Sequence, residues 1–374
     1  MTHILGLYIH IPFCKSKCHY CDFVSFPKQG RFINRYFKCL EIEARRISPT
    51  ISLFPFTLHS LPFTLYIGGG TPSLLSPAQL QKLFAIIEKN FQPIRNFRES
   101  AFEANPESLS IEKIRILKRS GITRISLGLQ SANNVLLKKL GRIASYECFL
   151  KTFGNLRDAG FSNINLDIMS GLPGQDLGDF NKTLETAVNL DPEHISIYAL
   201  EIHEGTQFFR QKIKENDILA VKMYESAAKK LKAAGYLHYE ISNFAKPGRQ
   251  SLHNLNYWNC GEYFGLGCSA SSHLNGERRT NTKNLKIYLE SLSETGAPAL
   301  EYSEKLTNAQ KKTEKIILGL RKTEGIELNR NIFIEFKEQI KKLNSEGLIE
   351  VSGLRIRLKR RYFYLSNRIL QEFV

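Results

Sequence analysis

The sequence predicts an α/β protein in which six strand–helix units build a parallel sheet or barrel, followed by a small C-terminal α+β domain of winged-helix-like shape. Three observations predict it. Six short apolar runs of strand character alternate with six stretches of helical period. Ser or Ser-Pro precedes several of those stretches and Gly follows them. Beyond about residue 300 the pattern changes to helices and then a closing strand pair.

In order, the strands are read at 5–11 (LGLYIHI), 63–68 (FTLYIG), 99–104 (ESAFEA), 124–129 (RISLGL), 163–169 (NINLDIM) and 194–200 (HISIYAL). Helices are read at 31–47, 77–90, 110–119, 146–159, 177–190 and 217–234, with starts at Ser76-Pro77 and Ser110 and stops at Gly121, Gly160 and Gly235. After residue 240 the period is lost in a Gly-, Ser- and Asn-rich stretch that carries the sole tryptophan, Trp258. An irregular segment of that length with aromatic content reads as functional. The expected organisation is a barrel over 1–240, an irregular connecting segment over 241–300, and the winged-helix-like domain over 301–374.

The composition of the 374 residues, 42% hydrophobic and 24% charged, excludes a disordered, collagenous or disulfide-stapled chain. The net charge of +16 is diffuse, with 16 basic and 10 acidic residues in 301–374, so it suits an anionic partner without marking a basic arm. The N-terminus has no basic residue before its apolar run, and the apolar stretch 51–67 is broken by Pro55, His59 and Pro62. A cytoplasmic location is expected. Seven cysteines in such a chain favour metal or redox use over disulfides.

The strongest chemical signal is Cys14-Lys-Ser-Lys-Cys18-His-Tyr-Cys21, directly after the first strand. Three thiolates at C-x3-C-x2-C spacing suit three corners of a 4Fe-4S cube and leave one iron open. A zinc site would need a fourth ligand, for which only His19 is at hand, and c-type haem attachment needs C-x-x-C-H. Gly68-Gly69-Gly70-Thr71-Pro72 follows the second strand, where backbone amides can approach an anionic group, although such a turn also serves purely structural ends. Glu103, Gln130 and Asp167 fall at or near strand ends and Arg142 follows the fourth strand, so all four converge on the C-terminal face of a barrel. Cys39 and Cys148 read as packing residues on helices; Cys260 and Cys268 flank GEYFGLG and read as buried structural thiols or, less simply, a second thiol site.

The cysteine loop strongly resembles the radical S-adenosylmethionine (SAM) superfamily. LYIHIPFCKSKCHYCDF, YIGGGTPS, FEANPE, RISLGLQS, LGR, NLDIMSGLPGQ and YLSNRILQEF extend the resemblance to the oxygen-independent coproporphyrinogen III oxidase-like family and its haem-chaperone branch. The resemblance implies a partial (β/α)6 TIM-like barrel, a 4Fe-4S cluster on Cys14, Cys18 and Cys21, and a SAM site lined by Tyr8, Tyr20, Gly69, Gly70, Thr71, Glu103, Gln130, Arg142 and Asp167. Three features separate the chaperone branch from the dehydrogenase that decarboxylates coproporphyrinogen III. Phe23 stands where the dehydrogenase has a fourth cysteine, only seven residues precede Tyr8, and His253-Asn-Leu-Asn-Tyr257-Trp258 matches a haem-associated H-N-x-x-Y-W motif. The branch implies haem as a third cofactor, ligated by His253 and covered by Tyr257 and Trp258, with Arg249 among the charges facing its propionates. It also implies haem-acceptor proteins as partners, some membrane-associated, and a homodimer. RIRLKRR in the C-terminal domain is basic, but no recognition helix accompanies it, so no nucleic-acid partner is expected.

Overall fold

The computed structural model describes residues 4–52 and 63–374. Most of the apolar stretch 51–67, with Pro55, His59 and Pro62, lies outside the described residues.

Six parallel strands stand side by side in chain order: β1 (Leu5–Ile11), β2 (Phe63–Gly69), β3 (Glu99–Ala104), β4 (Arg124–Gln130), β5 (Ile164–Ser170) and β6 (His194–Ala199). Helices Ile33–Ser52, Pro77–Asn90, Ile111–Ser120, Tyr146–Asp158, Leu177–Asn189 and Asp217–Ala233 follow them in turn, as the alternating pattern requires. Local chemistry sets the helix starts. Ser76 and Asp176 each form a reciprocal capping box with the third helical residue, and Ser110 and Ser145 accept single cap bonds. The strands are buried along nearly their whole length, so Leu7, Leu65, Phe102, Leu127, Leu166 and Ile195 form one apolar core with the helices outside.

The sheet does not close. On the β6 side it ends in two short antiparallel strands, Asn243–Ala245 and Leu237–His238. On the β1 side a seventh parallel strand, Glu262–Leu266, pairs with β1, and antiparallel strands Ser271–Leu274, Glu277–Asn281 and Leu300–Lys305 extend it outward. Residues 241–300 therefore contain regular elements where the sequence reads as irregular. Their strands are short and carry Gly, Ser, His and Arg in place of an apolar alternation, so the period-2 signal is absent although pairing with β1 supplies the backbone partners.

Helices Asn308–Gly319, Arg330–Glu335 and Lys337–Ser345 pack on a three-stranded antiparallel sheet, Ile326–Glu327, Arg355–Leu358 and Ile349–Ser352, in winged-helix-like fashion. Ile316, Ile332, Ile340, Ile356 and Phe363 give this domain its own core, which also takes in Ile241 from the barrel edge. Among the described residues no helix is long and apolar enough to cross a membrane.

Candidate functional site

Strand β1 delivers the chain to the cysteine loop. Phe13–Cys14 pairs in parallel with Phe26–Pro27, so the loop between them leaves and returns at the C-terminal face of the sheet. His10 ties the return: its Nε2 lies 2.8 Å from the Val24 carbonyl oxygen and its Nδ1 2.9 Å from the Tyr8 hydroxyl. Cys14, Cys18 and Cys21 are all free thiols and all line one cavity of about 800 Å³ at the strand ends. Burial raises the Cys14 thiol above its ordinary range and pushes Cys21 up to about 11, with Lys17 opposing both shifts.

This thiol set fits an iron–sulfur cluster. The three soft donors share one loop and one cavity wall, whereas among the described residues no three His, Cys, Asp or Glu side chains converge on a single metal-ion position. His19 does not complete a zinc site among the described residues: its ring packs against Gly141 and Phe208, outside the cavity that the three thiols line.

The glycine run after β2 is required by close packing. A Cβ on Gly68 would meet Glu103 and Tyr66 at 2.9 Å, one on Gly69 would meet the His10 ring at 2.8 Å, and one on Gly70 would meet the Phe13 carbonyl oxygen at 2.8 Å. Gly69 also has φ +117°. Its amide donates to Glu103 Oε2 at 3.0 Å, so that N–H is already engaged. The Thr71 hydroxyl donates to the Gly70 carbonyl at 2.7 Å and accepts from Asn105 Nδ2 at 3.3 Å.

The remaining strand ends bring their polar groups to the same cavity. Glu103 accepts from Tyr66 Oη at 2.7 Å, and burial followed by the nearby Asp167 charge pushes its carboxyl up to about 7 despite these donors. Asp167 accepts from Ser126 at 3.0 Å and Asn165 at 2.8 Å, and burial raises it too. A bulge between Gly128 and Gln130, with Gln130 at φ +63°, aims the glutamine into the cavity. Arg142 Nη2 donates to Asn105 Oδ1 at 2.9 Å and to the Gly128 carbonyl at 3.2 Å. Tyr20, Gly69, Gly70, Thr71, Glu103, Gln130, Arg142 and Asp167 thus share one cavity with the thiols. Tyr8 is not in its lining; it stands behind, through His10 and the Tyr66 ring at 6.1 Å.

The H-N-x-x-Y-W segment is elsewhere. It forms helix Leu252–Trp258, whose start is fastened to the first residue of β3 at the opposite end of the sheet: Glu99 accepts from Ser251 Oγ, Leu252 N and His253 N at 3.0 to 3.2 Å. The His253 ring is 1% exposed, with Nδ1 2.9 Å from Thr64 Oγ1 and Nε2 2.9 Å from Tyr257 Oη. Haem ligation by His253, expected from the motif, is therefore not available in this conformation, since both ring nitrogens are bonded and burial pushes the ring down to about 3. Arg249 sits on an exposed loop outside the cavity. Cys268 is in the core with Sγ on the Thr282 carbonyl at 3.2 Å, while Cys260 faces Lys315, Lys322 and Arg278. Cys39 is buried beside the Leu289 carbonyl.

Sequence reading missed Tyr66, Asn105, Ser126, Tyr198 and Arg321, which also line the cavity. Asn105 sits inside the FEANPE motif and Tyr66 two positions before Gly68, so strand register held a signal for both; nothing local marks Arg321.

A family model of the radical SAM superfamily matches residues 8–187, which span β1 to β5 and most of the following helix. Over 98% of its length the chain is 38% identical to "Heme chaperone HemW" of Bacillus subtilis (strain 168), covering 98% of that protein. The chain belongs to the HemW family. The likeness to the HemW of Mycobacterium tuberculosis (strain ATCC 25618 / H37Rv) is 32% identity, covering 98% of this chain and 94% of that protein. The solved structure of the coproporphyrinogen III oxidase HemN from Escherichia coli, described as a radical SAM enzyme, superposes with a TM-score of 0.85 over 100% of this chain and 90% of that one at 24% identity. At that identity the likeness shows the fold alone.

Proposed function

We propose that this HemW-family chain is a haem chaperone that carries a 4Fe-4S cluster and SAM and passes haem to acceptor proteins. One observation carries the reading: near-complete, two-way coverage at 38% identity with a protein named for that role. The cavity supports it. Cys14, Cys18 and Cys21 would hold the cluster, and when bound the cluster supplies an electron-transfer centre with an open coordination position. Gly70, Thr71, Gln130, Arg142 and Asp167 surround the space beside the thiols, with Glu103 held by Tyr66 and Gly69, and these groups would orient SAM and exclude water.

Haem binding through His253 requires Thr64 and Tyr257 to release the ring and helix Leu252–Trp258 to lift from Glu99. Haem acceptors, membrane association, a homodimer and a cytoplasmic location belong to the same proposal.

The deciding experiment uses anaerobic, cluster-reconstituted protein. Stoichiometric haem binding and haem transfer to an apo-acceptor, with no decarboxylated porphyrinogen formed from coproporphyrinogen III in the presence of SAM and reductant, supports the chaperone. Turnover of coproporphyrinogen III above a cluster-free control makes the chain a dehydrogenase and sinks the proposal.

A further inference from the structure

The cavity has a second wall that the cluster and SAM residues leave unused. It is built where the C-terminal domain meets the barrel edge, from Ile241, Ser242, Arg321, Phe363 and Tyr364. Arg321 lies two residues beyond helix Asn308–Gly319 and is pinned to the barrel by the Ile241 amide, which donates to its carbonyl at 3.0 Å.

Its side chain is placed but not satisfied. The guanidinium lies over the Trp258 ring, 4.5 Å from the centroid. Nε is buried without a partner, and among the described residues the group makes no hydrogen bond or salt bridge. The buried, unpaired Nε costs free energy, and the terminal nitrogens have no protein partner, so a ligand that pairs this edge of the guanidinium removes the cost. Stacking uses the flat face of the guanidinium and leaves its in-plane N–H fork open, which is the geometry that grips a carboxylate.

The other cations of the cavity are already engaged. Lys17 donates to the Phe23 carbonyl at 3.1 Å, and Arg142 donates to Asn105 and Gly128. Glu240 and Glu201 attract Arg321 only at a distance, and among the described residues neither makes a hydrogen bond or ion pair with its guanidinium. Glu240 Oε1 is buried without a partner and its carboxyl is pushed up to about 7 by burial, while Glu201 is an exposed rim residue. Asp217 accepts from Tyr364 Oη and Glu215 from the Ile202 amide.

We propose that Arg321, backed by Trp258, binds one carboxylate of the cavity ligand, and that this ligand is a planar tetrapyrrole presenting a propionate there. The inference rests on the haem-binding reading and gives that ligand a fixed edge. It also gives Trp258 of the H-N-x-x-Y-W motif a role that does not depend on iron ligation by His253.

The test is a fluorescence titration of anaerobic, cluster-reconstituted protein with protoporphyrin IX and with its dimethyl ester, which lacks the charges; the metal-free ring removes iron ligation from the comparison. Wild type is expected to prefer the diacid. Arg321→Gln should raise the Kd for the diacid about tenfold and leave the ester unchanged, with Arg321→Lys in between. Arg321→Gln protein that keeps wild-type affinity for the diacid overturns the subsite alone. Equal loss for diacid and ester also overturns it, since that is collapse of the wall. Wild-type protein that binds neither porphyrin removes the haem reading and the subsite together.

Discussion

The His253 imidazole stacks on the Tyr66 ring, with centroids 5.2 Å apart, and the Tyr66 hydroxyl in turn donates to Glu103 in the cofactor cavity. A motif helix anchored at the N-terminal end of the sheet therefore reaches the cavity at the C-terminal end through one aromatic ring. Thr64, Tyr66 and Gly68 alternate along one face of β2, so His253 on Thr64, the phenol, and Glu103 against Gly68 lie along the same face.

His253→Ala is expected to destabilise the protein by about 2 to 4 kcal/mol, because it removes a stacked, doubly bonded ring and leaves Thr64 and Tyr257 without it. The sign with pH is fixed by the downward shift. His253 contributes stability above pH 6.5 and loses it as the pH falls from there toward about 3. Denaturant melts at pH 7.5 and 5 should show a smaller acid loss in His253→Asn than in wild type. Haem affinity of the folded variants then reports on ligation separately from packing; an unchanged haem spectrum removes His253 as the ligand.

Glu103 titrates in the opposite sense. Its folded-state pKa of about 7 lies above the ordinary 4.5, so its contribution is full below pH 4.5 and is lost as the pH rises through 7. The span corresponds to roughly 3 kcal/mol as an order of magnitude. Ligand-free Glu103→Gln should show a flatter stability profile between pH 5 and 8 and weaker SAM binding. A profile that still parallels wild type would place the titration elsewhere, with Glu240 the first alternative.

The six βα units and the thiol loop were legible because both are local signals: apolar period, caps, and three cysteines within eight residues. Gln130, Arg142 and Asp167, read as converging because they stand at, near or after strand ends, line one cavity although they are far apart in sequence. What was not legible depends on long-range pairing. The strand Glu262–Leu266 is defined by β1, and the destination of His253 is defined by Glu99 and Thr64. Arg321 reaches the cavity only because a separate domain docks at Ile241.

The cysteines separate into two classes that iron and sulfide analysis can distinguish. Cys14→Ser, Cys18→Ser and Cys21→Ser should each lose most of the cluster after reconstitution, since all three line the cavity. Cys260→Ser should retain it. Cys268→Ser should also retain it but cost about 1 kcal/mol or more of stability, because a more polar and smaller hydroxyl replaces a thiol that is fully buried in the core. A full cluster in the Cys18→Ser protein would remove that residue from the ligand set.

Gly128 gives the sharpest test of how the side of the cavity proposed to hold SAM is assembled. A Cβ at this position would lie 3.0 Å from Gln130 Nε2, 3.1 Å from Arg142 Nη2 and 3.3 Å from Asn105 Oδ1, so three cavity side chains must each give by a few tenths of an ångström. Gly128 does not have a positive φ, so alanine brings no backbone strain and the effect falls on those side chains. Gly128→Ala should weaken SAM binding about tenfold, equivalent to about 1.4 kcal/mol, while cluster content stays at the wild-type level. Gly154→Ala is the matched control: it lies in helix Tyr146–Asp158 with nothing within 4 Å of the added methyl, and it should leave SAM affinity alone and gain about 0.5 to 1 kcal/mol of stability. Equal SAM affinity in the two variants would remove Gln130, Arg142 and Asn105 from the proposed SAM site.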